Sequence, residues 1–278
     1  MSVVRTSRES AMGRVDRLLR RSRVARLTGQ SLVVVVVLVG YSLARFASPV
    51  MERQLPSLPE LVGAIGALLV NPTFWQSVGY TAGVAAAGLL LSVLIGAGLG
   101  ALLSVHRFAF TSAQFVIDFM RAIPALALIP VGLLLIGPGA QMEVTLIVLT
   151  AVWPVLLQVF YAIKNLDPKM LETARSFRLG RPQRVVFVIA PAVSPAVATS
   201  IRLAATLSVL IAVGTELLAT GSGLGYMVAQ AQVNDQIPRL YALVLIIGLL
   251  SVALNVGLEL AEGRLLAWHR REVKGVRA

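Results

Sequence analysis

The chain has 278 residues, 57% of them hydrophobic and only 14% charged, with a mean hydropathy of +0.82. A soluble domain is about half apolar and about a quarter charged, so this composition excludes a large soluble core and fits an integral membrane protein. Cysteine is absent and the two histidines, His106 and His269, sit beside other basic residues, which excludes disulfides and thiolate sites and argues against a histidine metal centre; the net charge of +12 counts towards nucleic acid only if its distribution supports that partner.

Residues 1–27 form a basic tail with Arg5, Arg8, Arg14, Arg17, Arg20, Arg21, Arg23 and Arg26. An apolar run near 28–46, SLVVVVVLVGYSL, approaches full span length. The basic region ahead of it is too long for a typical signal peptide, so an uncleaved anchor is expected. Residues 47–75 are too polar to span, and Pro59 is placed to open a short amphipathic helix on the outer surface. A second span covers 76–104. In it Gly88, Ser92, Gly96 and Gly100 recur every four residues, a stripe without bulk that admits a close helix, either inside one bundle or at a subunit interface. The third span, 112–137, is interrupted by Pro124 and Pro130. The fourth covers 141–163, the fifth 185–219 with Pro191 and Pro195 near its start, and the sixth 238–264. A basic tail, 265–278, ends the chain. The expected fold is an all-α integral membrane domain over 28–264 with about six transmembrane helices.

The arginines orient it. With the N-terminal tail in the cytoplasm, six spans return the C-terminus there with Arg264, Arg270, Arg271, Lys274 and Arg277. Arg107 and the segment from Lys164 to Arg184 also fall inside. Only Arg45, Arg53 and Arg239 fall in outer loops. The positive charge is then topology and attraction to anionic lipid, and no nucleic-acid partner is expected.

Ionisable residues inside spans are functional candidates by default. Asp118 and Arg121 are three apart and can pair on one helix face. Arg202 and Glu216 share the fifth span but lie roughly 21 Å apart along a straight helix, too far to pair. Glu216 precedes GSGLGY and is either an anchor of that loop or a gate. Glu143 and Glu259 lie near span ends, where water or a partner can hold them. Arg121, Gln158, Arg202 and Glu216 are the pathway or gate candidates, with structural pairing the first expectation for both arginines. No GxxxxGK[ST], HExxH or activated serine is present, so no catalytic residue and no resident metal are assigned.

The loop between spans four and five begins NLDPKMLETARSF. Asp167 fits an N-cap and Pro168 the first helical position, so a helix of about ten residues is expected, its apolar side carrying Met170, Leu171, Ala174 and Phe177. Arg175, Arg178, Arg181 and Arg184 sweep one broad side. Glu172, Thr173 and Ala174, followed by Pro191 with Val188 three residues before it, resemble the hallmark loop of the transmembrane permease subunits of ATP-binding-cassette importers. That hallmark is Glu-Ala-Ala, Gly three residues on, then Ile-x-Leu-Pro. The chain departs from it at Arg178, where Gly is usual, with Gly180 two residues later, and at Ala190, where Leu is usual. LPSLPELV, RAIPALALIPVGLLLIGPG and ELLATGSGLGYMVAQAQ resemble the nitrate, sulfonate and taurine branch, so the likeness covers most of the chain after about residue 55.

The resemblance implies a mechanism. Two permease subunits, a homodimer as the first expectation, enclose a pathway. Two ATPase subunits, which hold ATP and Mg, dock on the loop helix in the cytoplasm, and a solute-binding protein delivers substrate from outside. The coupling residues implied are Glu172, Thr173, Ala174, Arg175, Phe177, Arg178, Gly180 and Pro191. This chain would hold no cofactor and would reside in a bacterial cytoplasmic membrane. The implied substrate is a small anion such as an aliphatic sulfonate, taurine or nitrate, with an aromatic carboxylate or vitamin precursor as the alternative. A self-powered secondary carrier and a non-transporting scaffold are rival readings. No convincing internal repeat supports the first.

Overall fold

A computed structural model describes residues 48–105, 107–219 and 221–265, together with Val36, 39–43, Arg45 and Phe46. The basic tails, most of the expected first span and both histidines lie outside the described residues. Those described contain helices and turns and no strand.

The chain divides into two compact units, residues 1–60 and 61–278. In the first, α1 (Pro49–Gln54) starts at Ser48, whose Oγ accepts from the Met51 amide at 3.2 Å. Tyr41 donates its hydroxyl to the Pro56 carbonyl at 2.7 Å. Ser57 and Glu60 cap each other at the start of α2 (Leu58–Val70): the Ser57 amide donates to Glu60 Oε2 at 2.8 Å and the Glu60 amide to Ser57 Oγ at 3.4 Å. At 13 residues α2 is too short to span a bilayer; the helix itself is apolar, so its length and not its polarity rules out a crossing.

The second unit carries the long apolar helices. These are α3 (Pro72–Val105), α6 (Ala140–Lys164), α9 (Ala190–Ala219, continued N-terminally to Arg181 through other helical turns) and α11 (Ile237–Leu265). Each is long enough and apolar enough to cross a membrane. Between α3 and α6, α4 (Arg107–Ala122) is followed by a 3₁₀ turn (Ala125–Leu128) and α5 (Ile129–Leu135). The two limbs, Phe110–Ala122 and Ala125–Leu135, meet at 79°. Pro124 has no amide hydrogen and disfavours helical geometry at Ile123, so the helix ends there; Pro130, in the first turn of α5, suits a new start. The described residues thus hold four such helices, or five with the bent pair counted as one crossing. The remaining helices are α7 (Pro168–Ser176), the single turn α8 (Arg181–Arg184) and α10 (Gly223–Val233).

Partner residues give the directions. Along α3 and α6 contacts advance together: Gly88 lies against Ile147, Gly96 against Val152 and Val155, and Gly100 against Leu156 and Val159. The two helices are therefore parallel. α9 opposes both, since Thr81 near the start of α3 bonds Glu216 near the end of α9. All four members of the Gly88–Gly100 stripe are buried and its three glycines lie against α6, so the close approach is made inside one bundle. A core of Val84, Met142, Ile147, Val155, Ala204 and Ala212 fills the contact between α3, α6 and α9. A second core holds Leu68, Phe74, Leu224, Met227 and Leu243 together. Large apolar side chains such as Leu90, Leu134, Leu210, Val244 and Leu249 point outward, as lipid rather than water requires.

Candidate functional site

The loop helix α7 sits where α6 ends, before the chain turns back into α9. Asp167 caps it, its carboxylate accepting from the Lys169 amide at 2.9 Å, and Pro168 occupies the first turn. Ala174 is buried at 3% exposure and fixes the inward face. Glu172, Thr173, Arg175 and Phe177 are exposed on the rest of the surface. Phe177 is 76% exposed, a large apolar surface left uncovered at the helix end.

The end of α7 explains the odd arginine. The Arg178 amide donates to the Arg175 carbonyl at 2.8 Å, and the Leu179 amide to the Ala174 carbonyl at 3.1 Å. This paired pattern closes a helix through a residue in the left-handed region, and Arg178 takes it with φ +55°. Glycine is favoured at such a position because it has no Cβ to clash. Gly180 follows in extended geometry, its amide donating to Gln183 Oε1 at 2.8 Å. Arg184 then donates Nε to the Leu179 carbonyl at 2.9 Å, tying the turn to the next helix. Between α8 and α9 the chain widens into a π turn, Val185–Ile189, immediately before Pro191. Pro191 offers no amide to the carbonyl four residues back, so the backbone repeat breaks where the segment joins the long helix.

At the other end of the bundle Glu216 is fully buried. Its Oε2 accepts from the Thr81 hydroxyl at 2.9 Å and the Gly225 amide at 2.9 Å, and Thr81 Oγ1 accepts from the Leu224 amide at 2.9 Å. The carboxylate and Thr81 together hold the start of α10, the geometry expected of a loop anchor. Gly223, at φ +93°, and Gly225 both lie so close to Glu216 that a Cβ would collide with it. Glu143 is also fully buried, not solvated; Tyr80 donates its hydroxyl to Glu143 Oε1 at 3.0 Å. The sequence placed Glu143 at a span end with water or a partner to hold it; the structure supplies the partner, Tyr80, and a depth that the sequence did not show.

The four pathway candidates do not converge. Arg121 Nε lies 3.6 Å from Asp118 Oδ1 on an exposed face of α4. Gln158 is exposed on α6. Arg202 pairs with Glu262 of α11 at 3.3 Å, a partner the sequence reading did not name. Glu216 lines neither the apolar nor the polar cavity of the second unit. Two cavities are formed by other residues. One, about 230 Å³, lies among α3, α9 and α11 and is lined almost wholly by apolar side chains such as Val78, Leu89, Val213 and Leu254. The other, about 370 Å³, is polar and lies where α3, α10 and α11 begin, around Ser77, Tyr226 and Arg239. No motif points to it; the only hint is the TGSGLGY loop beside Glu216.

Comparison with known proteins agrees with this architecture. The chain is 30% identical over 182 residues to SsuC of Bacillus subtilis (strain 168), named for aliphatic sulfonates transport; the match covers 64% of this chain and 66% of that one. It is 27% identical over 182 residues to the nitrate import permease protein NrtB of Leptolyngbya laminosa, covering 66% of this chain and 65% of that one. The chain thus spans about two thirds of the length of these relatives. A solved structure of the MetNI methionine ABC transporter, inward facing, shares the fold with a TM-score of 0.58 at 18% identity, covering 71% of this chain and 97% of that one. Residues 92–267 match the family model for the binding-protein-dependent transport system inner membrane component. That stretch holds α7, the Arg178 turn and the Glu216 anchor, and the chain belongs to this family of multi-pass inner-membrane permease components.

Proposed function

We propose that this chain forms the translocation pathway of an importer for a small anion, of the aliphatic sulfonate, taurine or nitrate class. Two separate ATPase subunits drive it by hydrolysing ATP with Mg, and they seat on α7. A second copy of the chain completes the pathway, and an extracytoplasmic solute-binding protein supplies the substrate. The observation that carries this reading is α7 itself: a capped helix between two long apolar helices, with Ala174 inward and Glu172, Arg175 and Phe177 uncovered. Closure of the ATPase pair would push α7, and the turn at Arg178 and Gly180 would pass that movement through α8 to Pro191. The names of the relatives support the anion class.

Reconstitution with its ATPase and binding-protein partners tests the reading. ATP-dependent uptake of nitrate, taurine or methanesulfonate into proteoliposomes is expected. Uptake by this chain alone without ATP, ATP hydrolysis without uptake, or preference for an aromatic carboxylate would overturn it in whole or in substrate. Glu172→Lys reverses a charge on an exposed contact helix. The variant should lose about tenfold in ATPase co-purification while the permease stays folded, since a contact charge pair is worth roughly 1.5 kcal/mol or more. Unchanged co-purification with unchanged coupled ATPase activity would remove Glu172 from the contact.

A further inference from the structure

We propose that the polar cavity at the start of α3, α10 and α11 is a capture site for a small oxyanion, with Arg239 as its cationic group. The inference rests on the anion reading above and gives it a location none of the four sequence candidates occupies. The cavity measures about 370 Å³. Thr73, Gln76 and Ser77 line it from α3, Tyr226 and Gln230 from α10, and Arg239 from α11.

Its chemistry is one-sided. Among the described residues Arg239 is the only charged one in the lining, and no carboxylate joins it. The guanidinium is little used by the protein: Nη1 donates to Gln236 Oε1 at 3.1 Å, and Nε is buried with no partner among the described residues. Gln230 Nε2 donates to the Tyr226 hydroxyl oxygen at 2.9 Å, which leaves the phenol's own proton to give. The side chains of Thr73, Gln76 and Ser77 bring further donors. A fixed cation surrounded by hydroxyl and amide donors matches an acceptor-rich oxyanion such as a sulfonate or nitrate. Tyr80 and Gly223 also line the cavity, but the carboxylates beside them, Glu143 and Glu216, are fully buried and do not.

Location fits the role. The cavity lies at the start of α3 and the end of α9, whereas α7 lies between the end of α6 and the start of α9. With α3 and α6 parallel and α9 opposed, the cavity and the contact helix occupy opposite ends of the bundle. The arginine distribution assigns the α7 end to the cytoplasm, which leaves the cavity at the face where solute arrives.

The chain has no cysteine, so Ser77→Cys creates a unique thiol in the cavity. The full chain, in complex with its ATPase subunits in nanodiscs of zwitterionic lipid, is treated with two methanethiosulfonate reagents. One carries an ethylsulfonate and the other an ethyltrimethylammonium group, and labelling of this chain is followed by mass. The ratio of anionic to cationic rates cancels any change in the thiol's own reactivity. It should fall about tenfold when Arg239→Gln is added and persist in Arg239→Lys, because the two reagents carry opposite charges and feel a nearby fixed cation with opposite sign. Millimolar methanesulfonate should slow the anionic reagent with Arg239 present and not in Arg239→Gln. A ratio indifferent to Arg239→Gln, no protection by methanesulfonate, or a thiol neither reagent reaches would each overturn the proposal. No transport is measured, so the two readings fail separately: a protected, charge-selective cavity in an importer that carries no anion sinks only the function, and anion uptake with an indifferent cavity sinks only the site.

Discussion

Arg178 shows what one residue of the loop reveals and what it hides. The sequence marks it as a departure, an arginine where the resembling family has glycine. The geometry gives the reason for glycine: φ +55° at the residue that closes α7. A side chain in this region costs roughly 1–2 kcal/mol. Arg178→Gly should therefore relieve the turn, slowing hydrogen exchange at the Leu179 amide severalfold, while Arg178→Val should speed it. Equal exchange in both variants would mean that the turn carries no such strain. Glu216 makes the complementary point. Its depth in a span and the glycines after it raised two roles, anchor or gate. Its partner Thr81 stands 135 residues away in the chain and no local pattern could name it. The Tyr80–Glu143 bond, 63 residues apart, was hidden for the same reason.

Among the elements, those written in local chemistry were legible. Long apolar runs gave the four long helices, and Asp167-Pro168 gave the start of α7 within a residue. Pro59 pointed to a short helix, which runs from Leu58 to Val70. Proline marked the break in the third expected span, but not its angle of 79°, which packing against α6 and α9 helps to set. The π turn at Val185–Ile189 has no compositional signal beyond the proline that follows. The start of α2 carries a dependence on pH. The Glu60 carboxylate accepts from the Ser57 amide and hydroxyl, and these bonds hold it below its ordinary value of 4.5. A depressed carboxylate stabilises the fold fully above its unfolded value, and that contribution is lost as pH falls through the folded one. Amides in the first turn of α2 should thus exchange at their protected rate at neutral pH and open as pH falls below about 4.5. The effect is small because Glu60 is exposed, and Glu60→Gln should abolish the pH dependence. Persistence of that dependence in Glu60→Gln would assign it to another group.

Across the molecule, the parallel seam between α3 and α6 joins the two ends of the bundle. One end carries Glu216 and the polar cavity, the other the exit of α6 into α7, and the small-residue stripe is the contact that joins them. The stripe was legible as a period of four, but the sequence left its partner open between the same bundle and a second subunit. The structure answers with Ile147, Val155 and Leu156 of α6. Gly100 is its tightest point against backbone: a Cβ there would lie 2.5 Å from the Leu156 carbonyl oxygen and 3.1 Å from Val159 Cβ. A backbone oxygen cannot turn aside as a flexible side chain can, so the helices must separate. Gly98, two residues from the stripe glycine on either side, has nothing within 4 Å of such a Cβ and faces outward. The same substitution at the two positions should then have opposite signs. Gly98→Ala should hold or raise the thermal midpoint of the solubilised protein, because alanine favours a helix by about 1 kcal/mol over glycine. Gly100→Ala should lower it by several degrees, the overpacking costing about 1–3 kcal/mol. If both variants melt together, the seam yields to the added carbon and is not rigid; if they diverge as expected, α3 and α6 pack as one body, which is what the proposed passage of movement from α7 towards the cavity end requires.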